Sequence, residues 1–194
     1  MDALPMLNIL GEKVALGPLR PELLALYLRW RNDFALIGNL IDVGPVTLEQ
    51  EEQRMAESET DPESVRFLIY DRATLQPIGI TALNGIDYRN RVADFSIVIG
   101  ERAFHRRGYG TEATQLMLHY AFDALGLNAI FLELFEYNPG AHRAYAKAGF
   151  RDAGRRRQAH FADGRLWDIL YMDCLAEEFV RPAFIQPFIA ERKH

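Results

Sequence analysis

The stretch HRRGYGTEA, His105 to Ala113, places two glycines next to the predicted start of a helix. Arg106 and Arg107 precede Gly108, and apolar residues recur at helical spacing from Ala113 onward. Glycine lets the backbone approach a ligand closely, and the first turn of a helix presents free N–H groups and a positive dipole end. Together with the two arginines, these groups form an anion site that suits a pyrophosphate.

The same loop has two other interpretations. Residues 108–113, GYGTEA, match the dinucleotide fingerprint G-x-G-x-x-A, with Glu133 near the position of its ribose-binding acid. However, Ile99 ends its strand well before Gly108, whereas the fingerprint loop follows its strand directly, and too little chain remains for a doubly wound sheet. A helix-capping turn with glycines for conformation alone is the other alternative.

The pattern around the loop predicts a mixed α+β domain. Pro21 and the capping box at Thr47–Gln50 each open a helix, and Asn138-Pro139 opens a third. Asp163-Gly164 predicts a tight hairpin. The predicted order is a strand, two helices, three antiparallel strands, a helix, a strand, a helix and a hairpin. The strands are expected near 13–19, 65–71, 77–88, 93–100, 129–137, 150–161 and 165–174.

Composition narrows the class of protein. The 194 residues are 49% hydrophobic and 25% charged, which is ordinary for a globular domain, and the net charge of -5 argues against a nucleic-acid binder. A single cysteine, Cys174, permits no internal disulfide and favours a reducing compartment. We find neither a signal peptide nor an apolar run of the ~20 residues that a membrane helix needs, so we predict a cytoplasmic protein with no membrane partner.

Two motifs together make the chain resemble the GNAT superfamily of acetyl-CoA-dependent N-acetyltransferases. The segment HRRGYG, 105–110, is similar to the family's Q/R-x-x-G-x-G/A loop, with His105 in place of Gln or Arg. About 30 residues later, NPGAHRAYAKAGF contains Asn138, Tyr145 and Gly149-Phe150 in the family's order. The segment LGPLRPELLALYLRWRND, 16–33, is similar to the RimJ/RimL-type branch, which includes ribosomal-protein N-terminal acetyltransferases. We therefore expect a single acetyltransferase domain over 1–179 and a C-terminal tail over 180–194.

The resemblance implies a mainly antiparallel central sheet, splayed between its fourth and fifth strands, with helices on both faces. Acetyl-CoA would lie between the strand ending at Gly100 and the strand ending at Tyr137, and no metal would be needed. Asn138 would cap its helix and contact the cofactor. The backbone groups of Ile97, Val98 and Ile99 would contact the pantetheine arm, and the pyrophosphate would be held by His105, Arg106, Arg107, Gly108, Tyr109, Gly110 and Thr111.

The implied reaction is direct transfer of an acetyl group to an amine in a ternary complex. A lysine-like or polyamine amine has a pKa of ~10.4 and is neutral only about once in 2,500 molecules at pH 7, so a positioned base is useful. Glu133 is the first candidate base. It interrupts an apolar run, so we expect it to be buried, where a carboxylate is costly without a purpose or partner. It also lies twelve residues before Tyr145, as the base–acid pair does in the enzymes that this stretch resembles. Asp94 is the alternative base. Alternation along its strand places Asp94 and Ser96 on one face and Phe95, Ile97 and Ile99 on the other. Tyr145 would protonate the departing thiolate or hold the sulfur by a hydrogen bond.

The acceptor stays open. The branch resemblance favours a protein N-terminal α-amine, followed by small-molecule amines such as a polyamine, an aminoglycoside or an amino-sugar nucleotide. A non-catalytic acyl-CoA-binding sensor is the alternative from another class. Side chains that could line an acceptor pocket are Trp30, Arg31, Asn32, Asp33, Phe161 and Trp167. The tail's apolar residues would cover the pocket or meet another subunit in a homodimer; they are Phe184, Ile185, Phe188 and Ile189.

Overall fold

The computed structural model describes residues 4–37 and 44–188. Eight strands form one sheet in the order β1-β2-β3-β4-β5-β6-β8-β7. The only parallel neighbours among these strands are β5 and β6. The strands are β1 (Ile9–Leu10), β2 (Val14–Gly17), β3 (Val65–Asp71), β4 (Pro77–Asp87), β5 (Val92–Ile99), β6 (Ala129–Phe135), β7 (Arg151–Ala162) and β8 (Arg165–Leu175).

Helices cover both faces of the sheet, as expected. The neighbouring β3 residues Phe67 and Leu68 point to opposite faces, and they belong to two different hydrophobic cores. The core that contains Phe67 is formed with α4 and α5, whereas Leu68 packs with α1 and α3. The helices are α1 (Leu24–Arg31), α2 (Phe34–Ile37), α3 (Leu48–Thr60), α4 (Tyr109–His119) and α5 (Pro139–Ala148).

The predicted helix starts are confirmed by their capping contacts. Pro21 begins a short 3-10 turn that continues into α1. Thr47 and Gln50 form a reciprocal capping box at α3, with N···O distances of 2.8 and 3.3 Å. The Asn138 side chain accepts a hydrogen bond from the Ala141 N–H at 3.0 Å and so caps α5.

Besides the four-residue helix α2, which was not predicted, two elements differ from the predicted ones. The two-residue strand β1 precedes β2 as a hairpin and was not predicted, because two residues are too short to show a period. The helix that was expected after the glycine loop is α-helical only up to His119 and continues as a π-helical turn, Tyr120–Ala124. There the Leu125 N–H donates to the Tyr120 carbonyl, a spacing that side-chain periodicity does not reveal.

The sheet is splayed between β5 and β6. These two strands pair at only three positions, of which Asp94 opposite Phe131 is the last, and beyond it they separate. Strand β6 meanwhile remains paired with β8 up to Phe135. The predicted splay is thus confirmed, although β1 makes the two strands the fifth and sixth of the sheet.

The described part of the tail packs on the C-terminal end of α4. Ile185 is buried in the core on the α4 side, and the Phe188 ring stacks on His119 at 4.2 Å between centroids. Arg181 Nη1 lies 3.7 Å from Asp123 Oδ2. These contacts lie at the opposite end of α4 from the glycine loop. Ile189, also expected to participate, lies outside the described residues.

Candidate active site

The glycine loop leads from β5 into the first turn of α4. A 3-10 turn, Arg102–Phe104, follows β5, and α4 begins at Tyr109 after four turn residues. Gly108 has a φ of +87°, in the left-handed region that favours glycine. Within the described chain no side chain caps α4, so the N–H groups of its first turn point outward without a side-chain acceptor. An uncapped helix start beside a glycine is the geometry of an anion site, and it favours that interpretation over a capping turn.

Two buried carboxylates hold the first turn of α4 in place. Glu112 Oε1 accepts hydrogen bonds from the backbone N–H groups of Lys13, at 2.7 Å, and Val14, at 3.1 Å. Asp71 at the end of β3 accepts one from the Tyr109 hydroxyl at 3.0 Å. Burial acts to raise the pKa of Asp71, but hydrogen bonds from Thr74 and Tyr109 outweigh burial and lower it. These anchors were not predicted from the sequence, although an acidic residue in the first turn of a helix is a recognisable signal for Glu112.

The side chains of the loop have different surroundings. The His105 Nε2–H donates to the Ile99 carbonyl at 2.7 Å, which turns the ring back onto β5. The Tyr109 hydroxyl points to Asp71, and the Arg107 guanidinium lies 5.9 Å from the centre of the Tyr109 ring. Arg107 donates to the Ala103 carbonyl at 3.1 Å and remains exposed. The exposed Arg106 has a φ of +57°, and Gly110 and Thr111 lie in the first turn of α4.

The edge of β5 beyond Asp94 borders the opening. The Gly100 N–H donates to the Ile78 carbonyl, and ladder bonds in antiparallel pairs recur every second residue. The backbone N–H and C=O of Val98, which pairs with Ile80, therefore point to β4. Those of Ile97 and Ile99 point the other way, toward the gap where β5 and β6 separate. The predicted contact with the pantetheine arm accordingly rests on Ile97 and on the N–H of Ile99, since the Ile99 carbonyl already accepts from His105.

Acidic side chains lie on one face of the sheet where β5 and β6 separate. Asp94 is exposed on this face, whereas Phe95 points into the core on the α4 side, as the alternation predicted. Glu133 lies two residues beyond Phe131, the last paired residue of β6, on the same face. The expectation that Glu133 is buried is wrong: its strand is apolar because Leu132 and Leu134 fill the core, while Glu133 points out on the other face.

These carboxylates have no described ionic partner. Cross-strand pairing places Asp173 beside Phe131 on the face that carries Asp94 and Glu133. In residues 4–37 and 44–188 no hydrogen bond or ion pair joins these three side chains to another group. Arg156 approaches the same face, with its Cζ atom 5.9 Å from the centre of the Tyr171 ring. Although the Asp94 side chain is exposed, surrounding residues partly desolvate its carboxyl group and raise its pKa above the usual value.

Tyr145 lies on the other face of the sheet, beside the same point. Its ring meets those of Phe95 and Phe150 edge-on, at 6.1 and 6.0 Å between centroids. Burial raises the pKa of its hydroxyl to about 12. Among the described residues this hydroxyl has no hydrogen-bond partner. Where β5 and β6 separate, Tyr145 thus lies on one face of the sheet and the carboxylates lie on the other.

The expected pocket-lining residues fall into two groups. Trp30 lies flat against Gly100, where a Cβ atom would overlap its ring, and its Nε1–H donates to Glu101 at 2.9 Å. Asp33 accepts two bonds from Arg102 at 2.9 Å. Trp30 and Asp33 are thereby tied to the segment that follows β5. Arg31 and Asn32 complete the first group at the end of α1, but Asn32 is bonded to the Val46 backbone and Arg31 lies 4.0 Å from Glu51.

The second group lies at the end of β6 and the β7–β8 hairpin. Trp167 meets Tyr137 edge-on at 5.0 Å, and His160 stacks on Phe135 at 3.8 Å. Phe161 remains 68% exposed. In the described ranges, no three His, Cys, Asp or Glu side chains come together as a metal site would require, and no helix is long and apolar enough to cross a membrane.

Comparison with known proteins agrees with this geometry. The spermidine N(1)-acetyltransferase of Vibrio cholerae is 30% identical over 115 residues, which are 59% of this chain and 65% of that protein, so just under two thirds of its length is matched. A putative ribosomal N-acetyltransferase, YdaF of Bacillus subtilis, is 27% identical over 112 residues, 58% of this chain and 59% of that protein. The crystal structure of the Vibrio cholerae spermidine N-acetyltransferase with CoA and spermine superimposes with a TM-score of 0.80 at 24% identity, over 86% of this chain and 97% of that one.

The family model of the acetyltransferase (GNAT) domain matches residues 13–151. That range contains β2 to β6, the glycine loop, both carboxylate candidates and Tyr145. The superfamily resemblance found in the sequence is therefore confirmed, while the RimJ/RimL-type branch stays a prediction. This chain belongs to the GNAT acetyltransferase family.

Proposed function

We propose that this protein is an acetyl-CoA-dependent N-acetyltransferase whose acceptor is a primary amine of a small polycation of the polyamine type. The observation that carries the proposal is the separation of β5 and β6, which has unpaired carboxylates on one face, Tyr145 on the other and the uncapped start of α4 beyond it. The name of the Vibrio cholerae relative supports a polyamine acceptor.

The acidic face supports a cationic acceptor. Asp94 and Asp173 lie on the two strands that flank β6, on either side of Phe131, and Glu133 lies two residues further along β6. None of the three has a described salt bridge. A linear polyamine carries several positive charges separated by short alkyl chains, so it can contact more than one carboxylate at a time. Unpaired carboxylates on adjacent strands repel one another, and a bound polycation would relieve that repulsion.

Before it can attack, a protonated amine must lose one proton. Glu133 is the first candidate base and Asp94 the second, and either would accept the proton directly or through a water molecule. The neutral nitrogen then attacks the thioester carbonyl and a C–N bond forms. As the C–S bond breaks, the nitrogen loses its second proton and the departing thiolate takes up one proton, so the products are the amide, the CoA thiol and one proton on the base. The raised pKa of Asp94 brings that carboxylate closer to a base that works at neutral pH.

Tyr145 would act on the sulfur by hydrogen bonding rather than by full proton transfer. A thiol has a pKa of ~8.5, whereas the pKa of the Tyr145 hydroxyl is about 12. Moving its proton completely to the thiolate is therefore unfavourable by roughly 5 kcal/mol. A hydrogen bond to the developing thiolate needs no such transfer, and the hydroxyl has no described competing partner.

The experiment that tests the function is an acceptor screen read by thiol release. We expect turnover with acetyl-CoA and spermidine, and lower turnover for Glu133→Gln or Asp94→Asn, whichever residue is the base. Asn90→Ala, at the turn between β4 and β5, is a matched surface control and should keep the full rate. Turnover on peptide N-termini with none on polyamines would replace the proposed acceptor with the protein N-terminal α-amine, which the name of the YdaF relative supports.

Calorimetry separates the enzyme from the two alternatives. Acetyl-CoA binding without NADH binding is expected, and NADH binding would revive the dinucleotide interpretation. Acetyl-CoA binding with no turnover on any amine would indicate the non-catalytic sensor instead.

A further inference from the structure

We propose that Lys13, in the turn between β1 and β2, is a third cation of the phosphate site and contacts the pyrophosphate of acetyl-CoA. This inference rests on the proposed function, because it takes the glycine loop as the pyrophosphate site. Lys13 lies more than ninety residues from the loop in the sequence, outside both motifs.

The Lys13 ammonium lies at the edge of the glycine loop. Its Nζ donates to the Arg107 carbonyl at 3.2 Å. A Cβ atom built on Gly108 would lie 3.5 Å from the same Nζ, so the ammonium group lies beside Gly108, whose backbone is in the left-handed region. The side chain is exposed, and it reaches the loop from the sheet side.

The turn that carries Lys13 is held against α4 by backbone contacts. Glu112 in the first turn of α4 accepts from the N–H groups of Lys13 and Val14, and the Arg72 N–H donates to the Lys13 carbonyl at 2.8 Å. A Cβ atom on Gly11 would overlap the Glu112 carboxylate, so the turn requires glycine there. The position of Lys13 relative to the loop is therefore set before any ligand binds.

The charge of Lys13 is available to an anion. Its described partner is a neutral carbonyl group, and Arg107 beside it likewise donates to a carbonyl, that of Ala103. Neither cation is paired with a carboxylate among the described residues. Two cations thus flank the outward-pointing N–H groups of α4, where charge-assisted hydrogen bonds to phosphate oxygens can form.

The test compares Lys13→Ala, Lys13→Arg and the surface control Arg89→Ala by calorimetry with CoA and with 3′-dephospho-CoA. Arg89 lies in the turn at the other end of β5. We expect Lys13→Ala to weaken the binding of both ligands about tenfold or more and to make it less dependent on ionic strength. Lys13→Arg should recover most of the affinity, and Arg89→Ala should change nothing. The alanine variant keeps the backbone N–H that Glu112 binds, so it should fold normally.

Two results would overturn the assignment. Unchanged affinity in Lys13→Ala would remove Lys13 from the site, and a loss confined to CoA, with 3′-dephospho-CoA unaffected, would place Lys13 at the 3′-phosphate instead. Gly108→Asp separates this failure from that of the proposed function. If the wild type binds CoA and Gly108→Asp weakens it while Lys13→Ala does not, the loop remains the pyrophosphate site. If the wild type does not bind CoA, the proposed function itself fails.

Discussion

Replacing Tyr145 with phenylalanine removes a single oxygen atom from the proposed site. The phenyl ring keeps the edge-on contacts with Phe95 and Phe150. Because the hydroxyl has no hydrogen-bond partner among the described residues, its removal leaves no described donor or acceptor unsatisfied. We therefore expect the thermal unfolding midpoint of Tyr145→Phe to equal that of the wild type or to exceed it slightly.

The effect on turnover follows from the hydrogen bond that the hydroxyl would make only during the reaction. A hydrogen bond to a charged group contributes about 1.5–3 kcal/mol, and each 1.36 kcal/mol corresponds to a factor of ten in rate. The expected fall in kcat is therefore about 10- to 150-fold, with an unchanged Kd for acetyl-CoA. Because the pKa of the hydroxyl is about 12, its ionisation should add no limb to the pH–rate profile below about pH 11.

The assay is thiol release at saturating acetyl-CoA, combined with calorimetry for the Kd. Tyr120→Phe is the matched control, since Tyr120 is another half-buried tyrosine but lies in the π-helical turn after α4. It should retain the full rate. A Tyr145→Phe enzyme with wild-type kcat would refute the sulfur contact, and a large loss of acetyl-CoA affinity would show that the hydroxyl acts in ground-state binding instead.

Gly108→Asp should weaken acetyl-CoA binding at least tenfold by calorimetry, because it strains a φ of +87° and adds an anion to the phosphate site; equal affinity would contradict this. Asp94→Asn should raise the thermal midpoint at pH 7. The pKa of Asp94 in the folded protein lies above its unfolded value of about 3.9, so ionisation of Asp94 destabilises the folded state above about pH 4. The increase in the midpoint of Asp94→Asn over the wild type should therefore vanish near pH 3. A lower midpoint at pH 7 would disprove that sign. Gly100→Ala places a methyl group in the Trp30 ring and should lower the midpoint by about 2–10 °C in a fluorimetric melt, whereas an unchanged midpoint would exclude the clash.

Local signals in the sequence predicted most elements because they act within a few residues. The capping contacts of Thr47 and Asn138 form as their motifs indicate. Alternation along β5 separated Asp94 from Phe95 correctly, since neighbouring strand residues always point to opposite faces. The same local view failed for Glu133, because an apolar run does not reveal that only one face of β6 is covered.

The sequence by itself determined the family, the order of the elements and the glycine loop, since these depend on motifs and short-range periodicity. Only the tertiary structure decided what surrounds that loop. Glu112 accepts a hydrogen bond from the Lys13 N–H, nearly a hundred residues away in the sequence. Asp94 and Asp173 come to lie on either side of Phe131 because β5 and β8 both pair with β6. Such contacts depend on strand order and register, which are set by the packing of the whole sheet and leave no periodic trace in any one segment.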